Sequence, residues 1–146
     1  MTVLPEVPLH SPGATKGQLV GLTSTECLEL LMTQRLGRII YCDDHGPIAV
    51  PVNFVVQDDT ILFRTSSDNA LAQHMRECAT CSFEVDEVDE AQHSGWSVLV
   101  RGSAAVVRHV SGDRDLVWPT PWPAGRRQLL IRMTPSELRG RRLVAY

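Results

Sequence analysis

The chain has 146 residues, 43% hydrophobic and 21% charged, the size and composition of one ordinary globular domain rather than a disordered chain. No apolar run reaches the ~20 residues that a membrane-spanning helix requires, and no basic-then-apolar leader opens the sequence, so a cytoplasmic protein without a membrane role is expected. Net charge is −3, but residues 126–146 carry six arginines against Glu137, a local +5 that leaves −8 elsewhere.

Residues 1–21 hold Pro5, Pro8, Pro12, Gly13, Gly17 and Gly21 without periodicity and read as a flexible arm, with the domain proper over 22–146. Thr23-Ser24-Thr25-Glu26 is a capping box, and Leu28, Leu31 and Met32 form the apolar stripe of a helix running to about Gln34. After Gly37 the apolar period changes to two. Strands are predicted at 38–42, 48–56 and 60–65, joined by tight turns at 43–46 and 57–59, which makes them antiparallel hairpins. A short helix from about Asn69 places Leu71, Met75 and Cys78 on one face. Strands follow at 81–88 and 96–107, then a helical turn near 113–117. Trp118 to Pro123 contains Pro119, Pro121 and Pro123 and cannot be regular structure. Two strands, at 129–133 and 138–144, close the chain. The fold class is mainly β, an antiparallel barrel of six to seven strands, because closure removes the exposed edges of an open sheet.

Of Cys27, Cys42, Cys78 and Cys81, only the last two form a motif. It lacks a second Cys/His pair for a metal, and Cys81 opens an alternating strand as a small hydrophobe, so no metal site is expected. The basic end suits a phosphate-bearing ligand, a partner subunit's acidic surface, or plain solvation. Nucleic acid is disfavoured, since the acidic body repels its backbone and no aromatics interleave with the arginines. His74 reads as helix surface, and no side chain stands out as a catalytic acid or base.

Four segments carry candidate chemistry. In strand 48–56, Ile48, Val50, Val52, Phe54 and Val56 form one row, while Pro51 and Asn53 share the other face. Pro51 belongs at an edge or irregularity, and Asn53 offers donor and acceptor to a flat heteroaromatic ring, unless it is simply a surface Asn on an edge strand. Arg64-Thr65-Ser66 leads through Ser67, Asp68 and Asn69 into a helix start, where free amides, hydroxyls and an arginine suit a phosphate; a plain N-cap at Ser67 or Asp68 is the simpler explanation. Trp96 and Ser97 open a strand, a place where a tryptophan is ordinarily core. Pro121-Trp122 with Arg126 and Arg127 forms a rigid aromatic-plus-arginine loop.

In order and spacing, Gly37-Arg38, Pro51-Val52-Asn53-Phe54, Phe63-Arg64-Thr65, Phe83-Glu84-Val85-Asp86, the run from Gly95-Trp96-Ser97 to Arg101-Gly102, Pro121-Trp122 and Gly140-Arg141-Arg142 resemble the pyridoxamine-phosphate-oxidase-like flavin-binding split-barrel proteins. They look closest to the small bacterial branch labelled nitroimidazole-resistance-like, over about residues 22–143. The resemblance implies a homodimer of split barrels with FMN at the interface. Val50 to Phe54 would lie along the ring, and Arg64, Thr65, Ser66 and Asn69 would lie around the phosphate. Trp96 and Ser97 would approach from the other subunit, with Trp122 and Arg127 at the outer pocket. It implies an FMN-dependent oxidoreductase acting on a small-molecule substrate. The alternatives are a non-catalytic dimeric binder of flavin or haem, and a deazaflavin-dependent reductase. The family pattern after the threonine is commonly small-Pro-Gly-Ser-Lys, whose lysine binds phosphate. Here it reads Ser66-Ser67-Asp68-Asn69-Ala70, and Lys16 is the chain's only lysine.

Overall fold

Alternating β-branched and aromatic segments cut by short polar turns leave backbone edges that must be satisfied by one another. The computed structural model, which describes residues 17–77, 80–107, 119–125 and 129–145, shows how. In chain order the elements are β1 (Gly17–Leu22), α1 (Ser24–Met32), β2 (Leu36–Asp43), β3 (Gly46–Gln57), β4 (Thr60–Thr65), α2 (Ala70–Glu77), β5 (Thr80–Asp89), β6 (Ser94–Val106) and β7 (Leu129–Ala145). The strands form one seven-stranded antiparallel sheet in the order β1-β7-β4-β3-β2-β5-β6, and a further β6–β7 ladder closes it into a barrel. This is the split-barrel architecture.

Two expectations are corrected. Residues 17–21 are not part of an arm: they belong to β1, which pairs residue for residue with 140–145 of β7. The reason lies in β7, whose first half pairs with β4 while its second half runs beyond it and needs another strand on that edge. The β1 side chains are almost all exposed, so no apolar alternation announces the strand. Likewise the two strands expected at 129–133 and 138–144 are one, β7. Pro135 is accommodated because it faces Gly102, next to the register shift between Arg101 and Gly102, where a missing amide costs least. The expected turn at 113–117 and the arm residues 1–16 lie outside the described residues.

The core fills the barrel. Phe54 meets Phe83 edge-on at 5.1 Å, and Phe63 stacks on Phe83 at 6.5 Å. Gly37 makes room for them, since a Cβ there would stand 2.5 Å from the Phe83 ring. Helix α1 begins where expected: Thr23 is its N-cap, its hydroxyl accepting the Glu26 amide at 3.2 Å. Its buried Cys27 and Leu31 join the core, with Cys27 seated against Gly140 of β7. Cys81 is also buried, Cys42 is exposed, and Cys78 lies outside the described residues. Among the described residues no cluster could hold a metal, and no helix is long and apolar enough to cross a membrane.

The β3 strand positions the site. It pairs with β2 up to Asn53 and with β4 from Phe54 onward. At this change of partner the Phe54 amide donates to the Arg35 carbonyl at 3.0 Å. Alternation breaks there, and both Asn53 and Phe54 are buried. The following turn holds Asp58 and Asp59 at φ 51° and 58°, the left-handed pair of a tight hairpin turn.

Candidate functional site

Beside the point where β3 changes partner, the barrel carries a cleft of about 440 Å³. One wall is apolar: Leu36, Val50, Val52 and Leu71, with Pro51 between the two valines. Tyr41 lies deeper, its hydroxyl pushed above the usual tyrosine range by burial and then by Asp43. The Tyr41 ring packs 4.5 Å from that of His74, whose Nε2 is buried with no partner among the described residues. His74 is thus half-buried against the cleft's back wall, not on the helix surface as the sequence suggested.

The far end is polar. Arg64 and Thr65 end β4, and Asn69 and Ala70 open α2. Asn69, not Ser67 or Asp68, is the N-cap: its Oδ1 accepts the Ala72 amide at 2.8 Å, and its Nδ2 donates to the Thr65 hydroxyl at 2.7 Å. The Ala70 and Leu71 amides lie ahead of the first intrahelical bond, from Gln73 to Asn69, so the positive end of the helix faces an arginine and a threonine. Ser66 turns away, donating to Asp68 at 2.5 Å; this bond and Asp68's own amide hold that carboxyl below the usual range. Neither Ser66 nor Asp68 lines the cleft, so the acid that departs from the family pattern stands outside it.

A proline-rich segment covers the mouth. Pro121, Trp122 and Pro123 line it, and the Trp122 side chain is 68% exposed. Asn53, only 9% exposed, holds this segment: its Oδ1 accepts the Trp122 amide at 2.8 Å while its Nδ2 donates to the Arg35 carbonyl at 3.3 Å. It is neither a surface Asn nor free to face a ring with both groups.

The cleft therefore brings together Val50, Pro51, Val52, Asn53, Arg64, Thr65, Asn69 and Trp122. Sequence reasoning missed Leu36, Tyr41 and Leu71, which looked like ordinary strand and helix apolar positions. Phe54 is corrected: it is fully in the core, because β3 has turned toward β4 by that point. Trp96 and Ser97 lie on other parts of the surface. Trp96 is 8% exposed, its Nε1 donating to Glu87 at 3.2 Å. Ser97 lines a groove of about 740 Å³ on the outer face of β5, β6 and β7. Arg127 lies outside the described residues. That outer groove is larger, but it lacks a helix terminus beside an apolar wall, so the cleft is the better ligand site.

Residues 23–142 match the family described as pyridoxamine 5'-phosphate oxidase. The chain belongs to the pyridoxamine 5'-phosphate oxidase family. A FAD-binding protein from Mycobacterium smegmatis is 34% identical to it, with a TM-score of 0.65 over 86% of this chain and 98% of that one. An uncharacterized protein of Mycobacterium tuberculosis is 27% identical over 92% of this chain and 96% of its own. A candidate 5-nitroimidazole antibiotic resistance protein from Bacteroides thetaiotaomicron shares the fold, at 12% identity and a TM-score of 0.67 over 92% of this chain and 95% of that one. The cleft of this family member joins an apolar wall to a helix N-terminus, an arrangement suited to a ligand with one flat apolar end and one anionic end.

Proposed function

We propose that the protein is a flavin-binding split-barrel homodimer that works as an oxidoreductase on a small-molecule substrate in the cytoplasm. One observation carries the reading: a single cleft holds the Val50–Pro51–Val52 wall at one end and Arg64, Thr65 and the start of α2 at the other. The residues present fit a flavin nucleotide. The apolar wall takes the ring's face, and the helix amides with the Arg64 guanidinium take the phosphate. When bound, a flavin supplies the electron-transfer chemistry, and the side chains around it position the ring and keep water out. FMN is the cofactor the sequence favoured. FAD is the second reading, supported by the 34%-identical FAD-binding relative and by Ala70, which offers no lysine to a terminal phosphate.

The homodimer is supported by the groove that Ser97 lines. Glu84 and Asp86 of β5 stand on one side of it, Arg139 and Arg141 of β7 on the other, and Ser97 and Leu99 of β6 between them. Turned about a twofold axis, this face sets the acids of one copy against the arginines of the next. Ser97, which lines that groove, would then lie against the partner.

The visible spectrum of the purified protein, followed by titration with FMN, FAD and riboflavin, tests the reading. A flavin spectrum, or micromolar or tighter binding of FMN or FAD, supports it. A haem Soret band would mark a haem binder instead, a deazaflavin spectrum a deazaflavin-dependent reductase, and a colourless protein that binds none of the flavins would sink it.

A further inference from the structure

The bond between Asn53 and the Trp122 amide crosses 69 residues of sequence, and it is the one hydrogen bond made by segment 119–125 among the described residues. Pro119, Pro121 and Pro123 have no amide hydrogen to give, so Trp122 supplies the donor midway between two prolines that line the cleft. Asn53 is fixed in turn by the Arg35 carbonyl, which also accepts the Phe54 amide. A bent segment stiffened by three prolines is thereby pinned at its centre to the turning point of the barrel wall, and an unburied indole is held at the cleft mouth.

We propose that Asn53 is a positioning residue that latches the Trp122 strap over the cleft, setting how long a planar aromatic ligand stays bound, and that it does so through the strap, without touching the ligand. The inference rests on the flavin reading for its ligand, but not for the latch itself. With both amide groups of Asn53 engaged, the indole is left as the face on which a flat ring stacks, and the latch decides where that face stands.

Amide exchange in the ligand-free protein and release rates of FMN and FAD test this together. The amide of residue 122 should be protected in the wild type and in Asn53→Asp, which keeps the acceptor, and exposed in Asn53→Ala. Release should quicken about three- to tenfold in Asn53→Ala, the range expected for one lost hydrogen bond. Trp122→Ala should quicken it about tenfold, and adding Asn53→Ala to that variant should change it less than about twofold, because the latch then holds no indole. Trp122→Pro deletes the amide without touching the buried asparagine. Should Asn53→Ala not fold, the near-isosteric Asn53→Leu takes its place, and release from Trp122→Pro should stay within about twofold of that from Trp122→Ala, because neither holds an indole for the latch to fix. An unprotected 122 amide in the wild type, or additive losses in the double variant, overturns the latch. If the wild type binds neither FMN nor FAD, the flavin reading falls, and the exchange measurement still decides the latch.

Discussion

Trp96 and Trp122 are the same side chain in opposite circumstances. Trp96 sits in a strand paired on both edges, across from Glu87 on β5 and Arg142 on β7, and is nearly buried. Trp122 lies in a segment with no ladder at all, tied by one side-chain acceptor and open to solvent. Both stood out in sequence as candidates to meet a ligand. The difference teaches that a tryptophan beginning an alternating strand is committed to the barrel, whereas one between prolines, which forbid regular pairing, remains available for recognition.

The sharpest way to break this contrast is to remove each indole. Trp96→Ala should cost about 3–5 kcal/mol of stability, the usual loss for a buried aromatic. Trp122→Ala should change stability by no more than about 0.5 kcal/mol while weakening flavin binding. Denaturant melts paired with FMN titrations on both variants decide it; a large affinity loss with unchanged stability in Trp96→Ala would move Trp96 from the core to the ligand.

The next effect sharpens the polar end against the apolar one. Arg64→Ala should weaken FMN by about 1.5–3 kcal/mol and riboflavin hardly at all, as expected for loss of a charged hydrogen bond to phosphate. Equal losses for the two ligands would assign Arg64 to the barrel.

Ala70→Lys should tighten FMN, though by less, about 1 kcal/mol, with the gain shrinking as salt rises. Because Asp68 stands outside the cleft, adding Asp68→Gly should contribute little beyond that. A gain that appears only in the double variant would place Asp68 against the phosphate.

The smallest effect concerns Glu84 in the outer groove. Burial, then the Asp86 charge, pushes its carboxyl above the ordinary range, against the opposing pull of Arg38. A folded value above the unfolded one means extra stability at pH below the usual glutamate range, lost as pH rises through the folded value. Glu84→Gln should flatten that slope in pH-dependent melts of the monomer. In a dimer docked as proposed, the partner's arginines should reverse it, so measuring the slope across protein concentrations also tests the interface.

Much of the fold was legible because it is written in neighbours. The 38–42, 48–56 and 60–65 alternations and their two tight turns are local signals, and the hairpins followed. The Val50–Val52 wall and the corner of Arg64, Thr65 and Asn69 were legible because each lies in a short contiguous stretch that carries the family resemblance, although Ser66 within the second turns away. What escaped was non-local or unpatterned. β1 is recruited by an edge far along the chain and shows no alternation of its own. The continuity of β7 through Pro135 depends on an irregularity in a different strand. The role of Asn53 depends on a backbone amide in a proline-rich loop, and no spacing rule connects the two. Phe54 was misplaced because the resemblance carries the whole Val50–Phe54 stretch to the ring, whereas the strand changes partner at its last residue.

The three ladders of β7 have a consequence for how the molecule is made. This strand pairs with β4, β6 and β1, all of which precede it in the chain. Until it leaves the ribosome, the outer edges of β4 and β6 have no mate, and the sheet is an open ribbon. Closure is then a single late, long-range event of the kind that makes folding slow and cooperative. The cleft shares in that event through β4, whose Arg64 and Thr65 pair with Leu130 and Leu129. A ligand corner resting on a strand that follows all of its partners is assembled only after that strand has joined them, so nascent chains should not capture ligand before the barrel has shut.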